Sequence, residues 1–147
     1  MIDSPKQELR KLWMLELRVT LKCEELDKIE SQVNRVSRWA VDERVQEGRS
    51  GHEDLLMKLI DLRQDANKMI DELIDEKKRV QAIIDQIDDP MLAEILIERY
   101  FECRTWEAIA ENIHVSRAHV FRMHGRALQA FGEKMRPNET MKRVRMD

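Results

Sequence analysis

Two long stretches almost free of helix breakers decide most of what this chain can become. From about Glu8 to Arg44 there is neither proline nor glycine, and apolar residues fall at Leu12, Leu15, Val19, Leu26, Ile29, Val33, Val36 and Ala40. The steps alternate between three and four, the spacing that returns a side chain to one side of an α-helix. Lys22 is the one polar residue in the row. A second row runs through Leu55, Leu59, Leu62, Ala66, Met69, Leu73, Val80, Ile83 and Ile87, broken only by Glu76. Between them lies QEGRSGH, residues 46–52. Gly48 and Gly51 admit backbone angles that end a helix, so this segment is expected to be a loop. Two apolar seams of similar length joined by a short loop are expected to fold back as an antiparallel coiled-coil hairpin. Each arm would be roughly 50 Å long at ~1.5 Å per residue.

The second arm carries more apolar surface than one partner helix covers, at Leu56, Ile60, Ile70, Ile74 and Ile84. A lone two-helix hairpin buries little. Dimerisation into a four-helix bundle is the simplest cover, with Leu55, Leu59, Leu62, Met69, Leu73 and Val80 on the dimer seam. The C-terminal helices, or plain solvent exposure, are the other ways to account for the surplus. Lys22 and Glu76, inside the seams, either set register or pair with one another.

The heptad rhythm stops at Asp88-Asp89-Pro90. Asp89 suits an N-cap, and Pro90 suits the first helical position, where no amide donor is needed. Shorter helices follow. Residues 91–101, MLAEILIERYF, form the first, and Glu102-Cys103-Arg104 turns the chain. Thr105 caps a second helix, WEAIAENI, with Trp106, Ile109, Ala110 and Ile113 inward. His114-Val115 turns again, and Ser116 caps a third helix over 117–131. Val120, Met123, Ala127, Leu128 and Phe131 face its core, and Arg117, Ala118, Phe121, Arg122 and Gly125 face away. With only 4 Gly, 3 Pro and 37% charged residues, and no alternating β-branched run, the expected class is all-α. Its expected parts are a flexible N-terminus (1–7), the hairpin (8–89), a three-helix module (90–131) and a basic flexible tail (132–147).

Charge singles out the module. The whole chain has a formal charge of −3, yet from Arg104 onward nine Lys and Arg stand against five Asp and Glu. Residues 115–130 contain no acid. A short helix, a tight turn and a capped basic helix make a helix-turn-helix, whose second helix enters the major groove of double-stranded DNA N-terminus first. Arg117 or Arg122 could donate two hydrogen bonds to a guanine, and Ala118 and Phe121 could touch a thymine methyl. Thr105, Ser116, His119 and Arg126 are better placed for phosphates. Lys142, Arg143 and Arg145 in the tail could add phosphate or minor-groove contacts.

Thr105-Trp106-Glu107-Ala108-Ile109-Ala110, with Val115-Ser116-Arg117, Val120 and Arg126-Ala127-Leu128, resembles the region-four domain of bacterial sigma factors, which binds an upstream promoter element. The wider layout resembles a family of small phage and prophage proteins in which a helical hairpin precedes a sigma-like helix-turn-helix. Members are described as uncharacterised or as late-gene transcriptional regulators. The features shared with them are Arg99-Tyr100, Thr105 to Ala110, His119 to Gly125 and Ala127-Leu128. The resemblance implies a sequence-specific DNA-binding regulator in the cytoplasm of a bacterial host cell, with RNA polymerase as a further partner. The sigma-type reading positions fall on Arg117, Ala118 and Arg122. Ala118 stands where an acid is usual and Arg122 where a glutamine is usual, so the same promoter element is not implied.

Other chemistries find little support. His114, His119 and His124 are spaced by five residues, about 140° around a helix, and share no face. Cys23 and Cys103 make no metal-type spacing, so no metal or cofactor is expected, and two free thiols suit a reducing compartment. No nucleophile motif or phosphate loop points to an enzyme. No apolar run approaches the ~20 residues that cross a bilayer. Two other roles fit the layout: a coiled-coil interaction protein contacting RNA polymerase or another protein, and a small-terminase-like component that recognises phage DNA for packaging.

Overall fold

A computed structural model describes residues 4–42 and 47–135, with side chains described for 4–38 and 51–135. The described residues are all helical apart from turns. They form α1 (Pro5–Asp42), α2 (Glu47–Ile84), α3 (Pro90–Leu96) with a π-helical extension over Ile97–Phe101, α4 (Trp106–Asn112) and α5 (Arg117–Met135).

Both long helices begin earlier than the sequence reading places them. Residues 4–7, expected to be flexible, start α1 with a capping box: the Gln7 amide donates to Ser4 Oγ at 3.2 Å and the Ser4 amide donates to Gln7 Oε1 at 2.9 Å. Pro5 occupies the first helical position, where its missing N–H costs nothing. Residues 47–52, expected to be loop, are helical and form the start of α2. Glycine disfavours a helix by only ~1 kcal/mol relative to alanine, and a 38-residue helix propagates through two of them. Positions 43–46 lie outside the described residues.

The chain divides into two compact units, Leu15–Leu73 and Met1–Met14 with Ile74–Asp147. In the first, Ile29 and Val33 of α1 pack with Leu59 and Leu62 of α2, flanked by half-buried Leu26, Leu55 and Leu56. Arg63 donates to Glu30 at 2.9 Å across the same two helices. Both partners are about half exposed, so the pair contributes at most ~1 kcal/mol. Lys22 lies 3.6 Å from Glu25 on its own helix. Glu76, in the other unit, pairs with Arg79 three residues on.

The positions expected on a dimer seam are largely consumed within one chain. Leu59, Leu62, Leu73 and Val80 are buried in the monomer, and Leu55 and Met69 are half-buried. An apolar row with a partner helix in the same chain packs against that helix first. Among the described residues of this unit, Leu17, Leu21, Met57 and Ile60 are exposed large apolar side chains.

The second unit spans the position of the expected boundary at Pro90. Leu9 and Leu12 from the first turns of α1 are completely buried in it, with Val80 and Ile84 from the last turns of α2. Ile95, Leu96, Ile109, Val120, Ala127 and Phe131 of the same unit are buried too. Arg79 of α2 is bound by Glu8 of α1. Gly132 of α5 lies so near Pro5 that a β-carbon there would stand 2.7 Å from the proline Cγ. Gly132 to Met135, expected as tail, continue α5. Lys142, Arg143 and Arg145 lie outside the described residues.

Candidate nucleic-acid interface

The local chemistry that sets α3, α4 and α5 is legible residue by residue. Asp89 Oδ1 accepts from the Met91 amide at 2.9 Å, with Pro90 first in the helix. Thr105 Oγ1 accepts from the Ala108 amide at 3.2 Å, and Ser116 Oγ accepts from the His119 amide at 3.1 Å. Between α4 and α5, His114 adopts a left-handed conformation (φ 58°). Its amide donates to the Glu111 carbonyl, and the Val115 amide donates to the Ala110 carbonyl at 3.1 Å. These two bonds define a Schellman closure, a position where glycine is commonest and histidine is tolerated at some cost. α4 packs on α5, and Ile109 and Ala110 of α4 and Val120, Met123 and Ala127 of α5 are buried.

The outward face of α5 carries the expected base-reading residues. Arg117, Ala118, Phe121 and Arg122 are all exposed, over the first two turns after the cap. Of the expected phosphate residues, Thr105, Ser116 and Arg126 are exposed and His119 is half-buried. Thr105 and Ser116 accept backbone amides yet keep a hydroxyl hydrogen to donate outward. Arg117 is held by Glu107 at 3.0 Å, with both side chains more than half exposed, so the contact is weak enough to exchange for another anion. The same guanidinium lies 5.5 Å from the Phe121 ring centre. Phe121 is 44% exposed, and its ring centre stands 5.2 Å from that of Trp106 at a tilt of 53°. Arg122 Nη2 stands 3.5 Å from His119 Nδ1.

Behind this face lies a polar and aromatic cluster that sequence reasoning missed. The Arg99 guanidinium sits between two indoles, 4.2 Å from the ring centre of Trp13 and 4.2 Å from that of Trp106. Arg99 Nη1 also donates to the Arg104 carbonyl at 2.9 Å, tying down the turn before Thr105. The Tyr100 hydroxyl and His124 Nε2 share a buried hydrogen bond of 2.9 Å. Burial, reinforced by the nearby charges of Lys6 and Arg99, pushes the His124 pKa down to about 4, so the imidazole is neutral at physiological pH. Burial likewise raises the Tyr100 pKa.

Glu98, in the π-helical extension, is only 1% exposed. One carboxylate oxygen accepts from Arg104 at 3.2 Å and from the Asn112 side chain. The other oxygen has no hydrogen-bond partner among the described residues. Burial raises the Glu98 pKa, against the lowering contributions of Asn112 and Arg104. The sequence held a faint signal here: Glu98 falls three residues after buried Ile95, on the apolar stripe of its helix. Among the described residues, no three His, Cys, Asp or Glu side chains gather as a metal-ligand set. No helix of the described residues is long and apolar enough to cross a membrane.

Residues 35–132 match a protein family described as "Protein of unknown function (DUF1492)". That span covers the end of α1, all of α2 and nearly all of α3 to α5. No curated protein and no solved structure matches the chain.

Proposed function

Because the chain belongs to the DUF1492 family, whose function is unknown, we propose its role from the geometry: a sequence-specific DNA-binding transcriptional regulator of phage or prophage type. In this reading α4, the turn at 113–116 and α5 act as a helix-turn-helix of the sigma region-four kind. The observation that carries it is the start of α5. A Ser116-capped N-terminus projects Arg117, Ala118, Phe121 and Arg122 to solvent from a stretch, 115–130, without an acid. A helix N-terminus favours phosphate through its free amides and dipole, and the two arginines offer bidentate contacts to guanine. The long helices act as an antiparallel hairpin that brings two copies together. The apolar residues left for a second copy are those still exposed on α1 and α2, rather than the buried seam.

Gel shifts of the full chain against the promoter regions of neighbouring genes, at moderate salt, test the reading. A preferred duplex should emerge. Arg122→Ala should reduce discrimination by ~1–3 kcal/mol if Arg122 makes a bidentate base contact. Equal, weak binding to every duplex, before and after the change, would sink the readout claim. Sedimentation of the full chain tests self-association, and a clean monomer at high concentration would remove the dimer.

A further inference from the structure

The aromatic and cationic groups of the C-terminal unit form a continuous stack. It runs from Trp13 on α1 to Arg99, to Trp106 on α4, to Phe121 on α5, and ends on the Arg117 guanidinium. Each junction is a ring–ring or cation–ring contact, and such contacts favour defined orientations over mere proximity. Arg99 is the central member. It touches both indoles, and its hydrogen bond to the Arg104 carbonyl holds the turn from which α4 starts. A lysine could not replace it in kind, because only a planar guanidinium stacks on two rings at once.

We propose that Arg99 is a positioning residue for DNA recognition: stacked between Trp13 and Trp106, it fixes the orientation of Phe121 and Arg117 on the reading face, and so makes the first turns of α1 part of the DNA-binding unit. The inference rests on the reading that α5 contacts DNA, and its first test does not need DNA. In NMR spectra of the full chain, Arg99→Met and Trp13→Leu should each shift the Phe121 ring signals, although neither residue touches Phe121 directly. Leu9→Ala, a core change on the same helix turn region, should leave those signals in place at a comparable loss of stability. Phe121 signals unmoved by Arg99→Met, or moved equally by Leu9→Ala, would overturn the proposal.

The second test measures affinity for the preferred duplex. Arg99→Met should weaken it about five- to tenfold, Arg99→Lys should not restore it, and the loss should vanish in a Phe121→Ala background because the two residues act as one unit. Additive losses would overturn the coupling. Wild-type protein that prefers no duplex, while the NMR signature holds, would refute the DNA reading and leave the stack as a device that orders the face for another ligand.

Discussion

Two glycines on α5 make opposite predictions for the same substitution. At Gly125 an added β-carbon meets nothing within 4 Å, so Gly125→Ala should stabilise the helix by about 0.5–1 kcal/mol through backbone entropy alone. At Gly132 the same atom would stand 2.7 Å from Pro5 Cγ, with the next ring carbons at 3.8 and 3.9 Å. Carbon atoms prefer separations of ~3.5–4.0 Å, so the overlap approaches 1 Å. A pyrrolidine ring cannot rotate away as a long side chain would. Overpacking of this kind costs ~1–3 kcal/mol, which outweighs the propensity gain. Gly132→Ala should therefore fall below the wild type, and below Gly125→Ala by on the order of 1–3 kcal/mol. Urea unfolding followed by tryptophan fluorescence is the assay, since Trp13 and Trp106 both belong to this unit. Adding Pro5→Ala should relieve the overlap and recover most of the loss. If Gly132→Ala proves as stabilising as Gly125→Ala, the first turn of α1 does not rest on α5 and the reasoning fails.

Three further outcomes follow from the site. His124 has a folded-state pKa of about 4, below the ~6.5 of an unfolded histidine, so the unfolded chain takes up a proton first. Its contribution is intact above pH ~6.5 and is lost as pH falls toward 4, by about 3 kcal/mol. The buried Glu98, with its raised pKa, acts with opposite sign by favouring the fold as it protonates. The difference between wild type and His124→Gln, measured by urea unfolding across this range, isolates the histidine, and a difference independent of pH would contradict its burial as a neutral group. Glu107→Gln should free Arg117 and remove a negative charge beside it. DNA affinity should rise about two- to fivefold, with stability changed by less than ~1 kcal/mol; weaker binding would argue that the ion pair presents Arg117 to DNA. Ser116→Ala removes the α5 cap and should cost about 1 kcal/mol in thermal or urea unfolding, whereas no change would mean the His119 amide finds another acceptor.

The parts of this fold that are local in sequence were legible before any coordinates. Asp89 with Pro90, Thr105 and Ser116 each announce a helix start through a hydrogen bond spanning two or three residues, and each is found there. The inward and outward sides of α5 also follow from spacing alone. Long-range partners did not show. Periodicity identifies that a face is buried, not what buries it, so the first turns of α1 gave no sign that Leu9, Leu12 and Trp13 would join residues about ninety positions away. The capping box at Ser4 and Gln7 was present as a motif but lay ahead of the apolar row used to place the helix. The polar core around Arg99, Tyr100 and His124 was hidden for another reason: each side chain reads as a surface group until its aromatic neighbours are known.

The C-terminal unit is built from both ends of the described chain, and this orders events during synthesis. Leu9 and Leu12 leave the ribosome about a hundred residues ahead of α5, which belongs to the same unit. At ~5–20 residues per second the wait is on the order of ten seconds. During that time the first turns of α1 lack the α5 part of their unit, and a long loop must close before the module locks. A shortened transcript or a stalled ribosome would therefore release a chain with α5 missing and part of its first helix uncovered. Such products are substrates for chaperones and proteases.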